Sequence, residues 1–541
     1  MSENDTGDTQ RDKIPVSRRN ILAATSAAVP GTIAGCLGGD ETGSSESDST
    51  DGSSGTESGS AEPVMGGTLQ WGGSVAVQGL DPHSVTAAAS WRVLESITQG
   101  LTTVNYDLEV APQLASDWTV SDDGQSITFD IREGVQFHDG SELTSADVVA
   151  SFERIASGGY SASGYFEFVE GMSAPDDYTF EMSLSEPFSP LLARMSTTSM
   201  KILPEEQAQQ DQISEPIGTG PFQFESREVG SEFVMTKNEN YWEEGVPRLD
   251  RIEKREITED DVRYDVFTSG EVDFINDIPP RRIDQVADNP EYRWEEKFPK
   301  ILFYLGLNCD REPFDDPNVR LALDHAIDRD EIVEAALYGY GEPAKSPAYP
   351  GSLWEPDDME VRSQDLERAQ EFMDQSSYSN EAEAVFRIPN AYSTAQPAAQ
   401  VIAQSAQEVG INLDIQQVTW STWLSEVSGN SDFQATISTY MGLWYPDYGF
   451  YKFEHPEGAF HFTNWENEEY MQLVENARTT FDQEERVQNY HEAARVRRNA
   501  RSGHLLLYWK GYELASIPEY KEKTAGPDGA TLRFENNWMD M

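Results

Sequence analysis

Basic residues are scarce in this chain of 541 residues: 39 lysines and arginines stand against 96 aspartates and glutamates, a formal charge of -57 at pH 7. A surface of that sign repels phosphate backbones and anionic headgroups, which excludes nucleic acid as a partner. The same charge drives the compact state apart unless salt screens it. The Debye length is roughly 30 Å at 0.01 M salt and about 3 Å at 1 M, so the folded chain is expected to need salt. Cysteine is nearly missing, with only Cys36 and Cys309, too few for a disulfide framework. A membrane-spanning run is missing as well: the apolar stretch 21–34 is too short to cross a bilayer.

Catalytic signatures fail one by one. His491-Glu492-Ala493-Ala494-Arg495 has Arg495 where a zinc helix needs its second histidine. Gly339-Tyr340-Gly341-Glu342-Pro343-Ala344 has the spacing of a dinucleotide loop, but Pro343 and a preceding helix spoil the strand-turn-helix context. There is no phosphate loop ending in Gly-Lys-Ser/Thr and no Gly-x-Ser-x-Gly elbow. The seven histidines are scattered, and among 96 carboxylates pairs at catalytic spacing arise by chance. No enzyme activity, metal or cofactor is expected.

What is present argues for a packed body. Apolar residues make up 38% of the chain, with 12 Trp, 22 Tyr and 24 Phe, far too many for a disordered polyanion. The first 65 residues are different. Arg18 and Arg19 precede the short apolar stretch, resembling a twin-arginine export signal, and Thr32-Ile33-Ala34-Gly35-Cys36 resembles a lipobox whose cysteine takes a lipid. Residues 1–36 are therefore expected to be a signal with lipobox, and 37–65 a disordered Gly/Ser-rich acidic tether with a reach on the order of 25–30 Å.

From Gly66 onward strands and helices alternate. A strand is expected at 67–71 and a helix at 87–98. A hairpin follows, with its turn at Asp122-Asp123-Gly124 and the alternating Ile127, Phe129 and Ile131. Residues 145–155 carry Val148, Val149, Phe152 and Ile155 on one helical face. Asp316 caps a helix with Pro317 in its first turn, and 383–388, 395–408 and 413–418 read as strand, helix, strand with a parallel crossover. Two α/β lobes around a cleft follow from this pattern.

Several blocks in order carry a resemblance. They include Leu80-Asp81-Pro82-His83, Ala111-Pro112-Gln113-Leu114, Phe129-Asp130-Ile131-Arg132-Glu133-Gly134-Val135-Gln136-Phe137-His138-Asp139-Gly140, Gly218-Thr219-Gly220-Pro221-Phe222, Asn240-Tyr241-Trp242 and Pro313-Phe314-Asp315-Asp316. The body resembles the family 5 solute-binding proteins of ABC importers, which take up dipeptides, oligopeptides or nickel, in a haloarchaeal lipoprotein form. The resemblance implies an α/β, two-lobed periplasmic-binding-protein-like fold of type II in its large three-domain form. Its expected parts are lobe I (66–106, 201–305 and 506–541), an inserted domain (107–200) and lobe II (306–505). It implies an extracytoplasmic, lipid-anchored monomer that captures peptides, most of all oligopeptides, and passes them to membrane permease subunits.

The resemblance also points to a site. Trp444-x-x-Asp447 looks like the place where peptide binders hold the substrate ammonium with an aspartate. Asp447 would take a charge-assisted hydrogen bond, and Tyr440, Trp444, Tyr445 and Tyr448 would supply aromatic walls. Asp447→Ala would then weaken a cationic ligand about tenfold and leave folding intact. The stretch Ile388-Pro389-Asn390-Ala391-Tyr392 offers no arginine for a substrate carboxylate, which favours longer peptides or a cationic solute, with a nickel chelate as an alternative. A sensory binding protein and a secreted hydrolase are the competing readings.

Overall fold

Alternation builds the first unit. Strand Ser126–Ile131 turns Ile127, Phe129 and Ile131 into a core while Ser126 and Asp130 face water. It pairs antiparallel with Ala115–Val120 on one side and Thr179–Leu184 on the other, and Val169–Asp176 completes a four-stranded sheet. Helix Ser145–Ala156 covers this sheet with Val148, Phe152 and Ile155, all fully buried. Val149 is only half-buried. Burying each large side chain contributes about 1.5–3 kcal/mol. Thr144 and Asp147 close the helix start reciprocally, the Asp147 carboxylate accepting from the Thr144 N–H at 2.8 Å.

The computed structural model describes residues 63–540 apart from 161, 297–300, 380, 441–443, 512, 523 and 528–530. The expectations placed on Arg18, Arg19, Cys36 and nearly all of the tether lie outside the described residues. Among those described, no helix is long and apolar enough to cross a membrane.

Two larger sheets frame the lobes. The first has seven strands in the order Arg293–Glu296, Glu513–Ser516, Phe274–Asn276, Thr68–Gly73, Arg251–Glu256, Glu232–Lys237 and Phe222–Glu228. The second has six: Glu342–Pro343, His504–Lys510, Ile301–Leu307, Ala435–Tyr440, Ala382–Pro389 and Ile411–Val418. Ala382–Pro389 and Ile411–Val418 are parallel, joined through helix Ala395–Gln407 as the sequence pattern requires. Helix Pro317–Ala326 starts where expected, the Asp316 carboxylate accepting from the Asn318 N–H at 2.8 Å.

The chain crosses between these sheets twice, between Glu296 and Ile301 and again between Lys510 and Glu513. Ile301–Leu307 and His504–Lys510, which span the boundaries expected at 305/306 and 505/506, both pair inside the second sheet. Apolar runs cannot reveal this, because a strand buried on both faces reads alike in either sheet. The Gly218-Thr219-Gly220 block is a close approach. A side chain at Gly218 would sit 2.1 Å from the Ile97 carbonyl, and one at Gly220 2.4 Å from that of Ser96.

Candidate functional site

In a parallel sheet, ligands collect at the carboxyl ends of the strands, where backbone groups are left open. Strands Thr68–Gly73 and Phe274–Asn276 run parallel at the centre of the first sheet, and both deliver polar residues at that end. Trp71 donates its indole N–H to Asn276 Oδ1 at 2.8 Å, and Asn276 Nδ2 donates to Ser74 Oγ at 2.7 Å and Asp277 Oδ2 at 2.8 Å. Arg92 Nη1 lies 3.5 Å from Asp277 Oδ2. Burial would raise the Asp277 carboxyl, but Arg92, and Lys510 from the end of the second sheet, hold it below the usual range. Asp277 still exposes 26% of its side chain. Asp277 is thus a charge-paired carboxylate that also accepts from Ser74 Oγ.

The second cluster joins helix Leu191–Arg194 to Asp447 and helix Glu468–Thr479. Arg194 ends the short helix Leu191–Arg194, and its Nη2 meets Asp447 Oδ2 at 2.6 Å. Arg478, in the last turn of helix Glu468–Thr479, places Nε 2.8 Å from Asp447 Oδ1. Asp447 is 2% exposed, and the arginine side chains 4% and 8%. Burial raises the Asp447 carboxyl; Arg478 and Arg194 more than offset that and keep it ionised. Around the pair, Val104 and Ala193 pack with Trp354, Trp444 and Tyr445, and the Ser189 N–H donates to the Arg478 carbonyl at 2.9 Å.

Asp447, expected to hold a substrate ammonium, has each of its oxygens bonded to a guanidinium. The aromatic side chains expected as its walls are mostly buried. Tyr440 is fully buried between Tyr304 and Phe453, with ring centroids 4.2 and 3.9 Å away. Trp444 and Tyr445 are buried in the interdomain core. Of the five residues, Tyr448 alone keeps an open edge. Lys452 lies on it, Nζ 4.1 Å from the ring centroid and donating to Tyr448 Oη at 2.8 Å. The widened helical turn Tyr448–Lys452, a distortion frequent at functional sites, brings the two together.

Burial, with Arg194 adding repulsion, brings the Lys452 ammonium down to about 8. Around this turn Arg194, Arg478 and Lys452 meet the carboxylates Asp447, Glu475 and Glu457. On the Tyr448 ring itself the charged neighbours are Lys452 and Arg194, the latter 4.7 Å from the ring centroid.

Among the described residues one group has the composition of a cation site: His455, Glu457 and Glu475, with candidate ligand atoms within 4.8 Å of one another. Arg478 already bonds Glu475 at 3.3 Å, and His455 Nδ1 accepts from the Glu457 N–H at 3.3 Å. Burial and Arg478 lower the imidazole to about 4. The guanidinium supplies the positive charge those carboxylates balance. The failed zinc motif is a surface helix, Arg495 pairing with Asp358 at 2.7 Å and Glu492 at 3.0 Å. Arg387 lies on its strand and pairs with Glu426 at 3.3 Å, away from the cluster.

The family model for bacterial extracellular solute-binding proteins, family 5 (middle region), matches residues 109–460. The chain belongs to this family. Its members are extracytoplasmic binding components of ABC importers, and they bind solutes without transforming them. The glutathione-binding protein GsiB of Salmonella paratyphi A is 28% identical over 370 residues, covering 68% of this chain and 72% of GsiB. The ABC transporter-associated periplasmic binding protein DppA of Helicobacter pylori, solved with the peptide STSA, superposes with a TM-score of 0.77 at 24% identity over 88% of this chain and 99% of its own. AgaA from A. tumefaciens R10, solved with agropinic acid, gives 0.76 at 26% identity, with the same coverage. The fold is the two-lobed type II form.

Sequence patterns missed Arg194, Arg478 and Lys452. A signal was there: in a chain this poor in bases, ten lysines and arginines (92, 154, 194, 201, 254, 263, 320, 329, 478 and 497) are buried. A cation set in an apolar run, as in Leu191-Leu192-Ala193-Arg194, marks a buried partner.

Proposed function

We propose that this family 5 protein captures a peptide or peptide-like solute between its lobes and presents it to the permease of an ABC importer. The observation that carries the ligand class is the pair of cations, Lys452 and Arg194, on the half-open ring of Tyr448. That pair suits a solute bearing a carboxylate. The purely cationic solute considered from the sequence fits less well. Relatives that bind glutathione and a peptide support the same class. The excess of acids, the paired Arg18 and Arg19, and Cys36 support a secreted, lipid-anchored form adapted to high salt.

One experiment tests both halves: mass spectrometry of the protein purified from its own membranes in molar KCl. Under native conditions a bound peptide series is expected, and after denaturation a chain that begins at Cys36 and carries lipid mass. A single ligand without a carboxylate would overturn the solute class. An unlipidated chain that retains its first residues would overturn the anchor.

Lys452 gives the reading a pH signature. Because its ammonium titrates near 8, it is charged below that value and neutral above it. Affinity for the co-purified solute is expected to fall as pH rises from 7 to 9, with protons taken up on binding near pH 8. Calorimetry in buffers of different ionisation heat measures both. An affinity constant over that range would remove Lys452 from the solute's contacts.

A further inference from the structure

A second cationic feature lies wholly within lobe II, away from the hinge. Seven of the chain's 39 lysines and arginines line one recess between helix Pro317–Ala326, the end of helix Gln483–Asn499 and strand His504–Lys510: Lys345, which pairs with Glu355 at 3.6 Å, and the arginines 320, 329, 362, 497, 498 and 501. Asp324 is the only carboxylate among the lining residues, and it is taken by Arg329 and by Arg362, the latter at 2.8 Å. Glu454 neutralises Arg497 at 2.6 Å. Among the described residues no carboxylate comes within 4.0 Å of the guanidiniums of Arg320, Arg498 or Arg501. Arg320 donates only to carbonyls, those of Arg501 at 2.8 Å and of Phe314, and Arg498 to that of Glu360.

Arg320 is 6% exposed, so its charge is poorly hydrated. An isolated buried charge is unfavourable by several kcal/mol unless paired. Burial and the neighbouring Arg501 lower the Arg320 guanidinium against the opposing pull of Asp316 and Asp315, and burial with Arg362 and Arg329 lowers that of Arg498 against Asp324 and Glu360. The C-terminal dipole of helix Gln483–Asn499 draws cations to this place, but it amounts to about half a charge against three guanidiniums. The backbone adds an observation of its own. Arg501 has φ 69°, a left-handed conformation that glycine or asparagine fills at lower energy after a helix end. An arginine held there places one more cation at the recess. The enclosed space of about 30 Å³ admits about two water-sized particles.

We propose that this recess binds a small inorganic anion, either a halide or a tetrahedral oxyanion, which neutralises Arg320, Arg498 and Arg501 and ties the end of helix Gln483–Asn499 to the second sheet. The site is independent of the solute cleft, because no residue of lobe I or the inserted domain lines it. In a protein charged at -57, anions are repelled from the surface at large, so a saturable anion effect would report this recess.

The test follows thermal unfolding of the full mature chain in potassium gluconate, replaced stepwise by potassium bromide or potassium phosphate at constant potassium concentration. Gluconate is too large for the recess. A saturable rise in the melting temperature of about 2–4 °C is expected with at least one of the two anions. A rise with bromide and phosphate alike means a site tolerant of both; a rise with one alone identifies a halide or an oxyanion. The double variant R498Q/R501N, whose asparagine accepts the left-handed backbone, should lose the rise. A rise of equal size in the variant, or none in the wild type, overturns the proposal. Anomalous diffraction from wild-type crystals grown in bromide decides the matter if the variant fails to fold: a peak among the three guanidiniums supports the site, and its absence overturns it.

Discussion

Asp447→Asn is expected to destabilise the protein by about 3–5 kcal/mol, the usual consequence of removing one partner from a buried ion pair. The amide keeps the volume of the carboxylate and loses its charge, leaving Arg194 and Arg478 facing each other in a core closed by Trp354, Trp444 and Tyr445. The effect should appear as a lower denaturant midpoint at fixed salt. Because this cluster ties helix Leu191–Arg194 to helix Glu468–Thr479, the variant should also loosen that contact, seen as a larger radius of gyration in solution scattering. Arg194→Met leaves Asp447 paired with Arg478 and should be milder. The double variant Arg194→Met/Asp447→Asn should show coupling of about 0.5–3 kcal/mol. A variant Asp447→Asn as stable as wild type that has lost a cationic ligand would restore the role first read from the sequence.

Much of the architecture was legible. The one-sided Val148, Phe152 and Ile155 of the helix at 145–155, Asp316-Pro317 at a helix start and the alternation of Ile127, Phe129 and Ile131 are local signals, and local signals survive folding. The parallel crossover 382–418 was legible because its helix and strands have different hydrophobic periods.

Trp444 and Tyr445, singled out in the sequence, pack with Ala193 and Trp354. A carboxylate awaiting an ammonium and one bonded by guanidiniums look identical in sequence. Arg194 lies 253 residues before Asp447, and only the fold brings them together. The scarcity of bases was read as a statement about the surface. It is equally a statement about the interior, where ten of the bases have gone to neutralise acids or to bond carbonyls.

Seven residues beyond Asp447, Glu454 is held in the same manner, and the two carboxylates bracket the turn that presents Tyr448 and Lys452. Glu454 Oε1 meets Arg497 Nε at 2.6 Å and His504 Nδ1 at 3.2 Å, and Oε2 accepts from Ser502 Oγ at 2.9 Å. Burial would raise this carboxyl, but Arg497 and then His504 bring it down to about 2, against an ordinary 4.5. The folded value is the lower one, so the stabilisation is complete above pH 4.5 and is lost as pH falls toward 2. A gap of about 2.5 units corresponds to about 3 kcal/mol. Glu454→Gln should remove about that much at pH 7, and its disadvantage should shrink between pH 5 and 3, where the wild type surrenders the same interaction. Melting curves in molar KCl from pH 7 to 3 show the convergence, and parallel acid limbs would mean that Glu454 does not govern it. The variant should also weaken solute binding at pH 7, because freeing one end of the turn lets Lys452 drift from Tyr448.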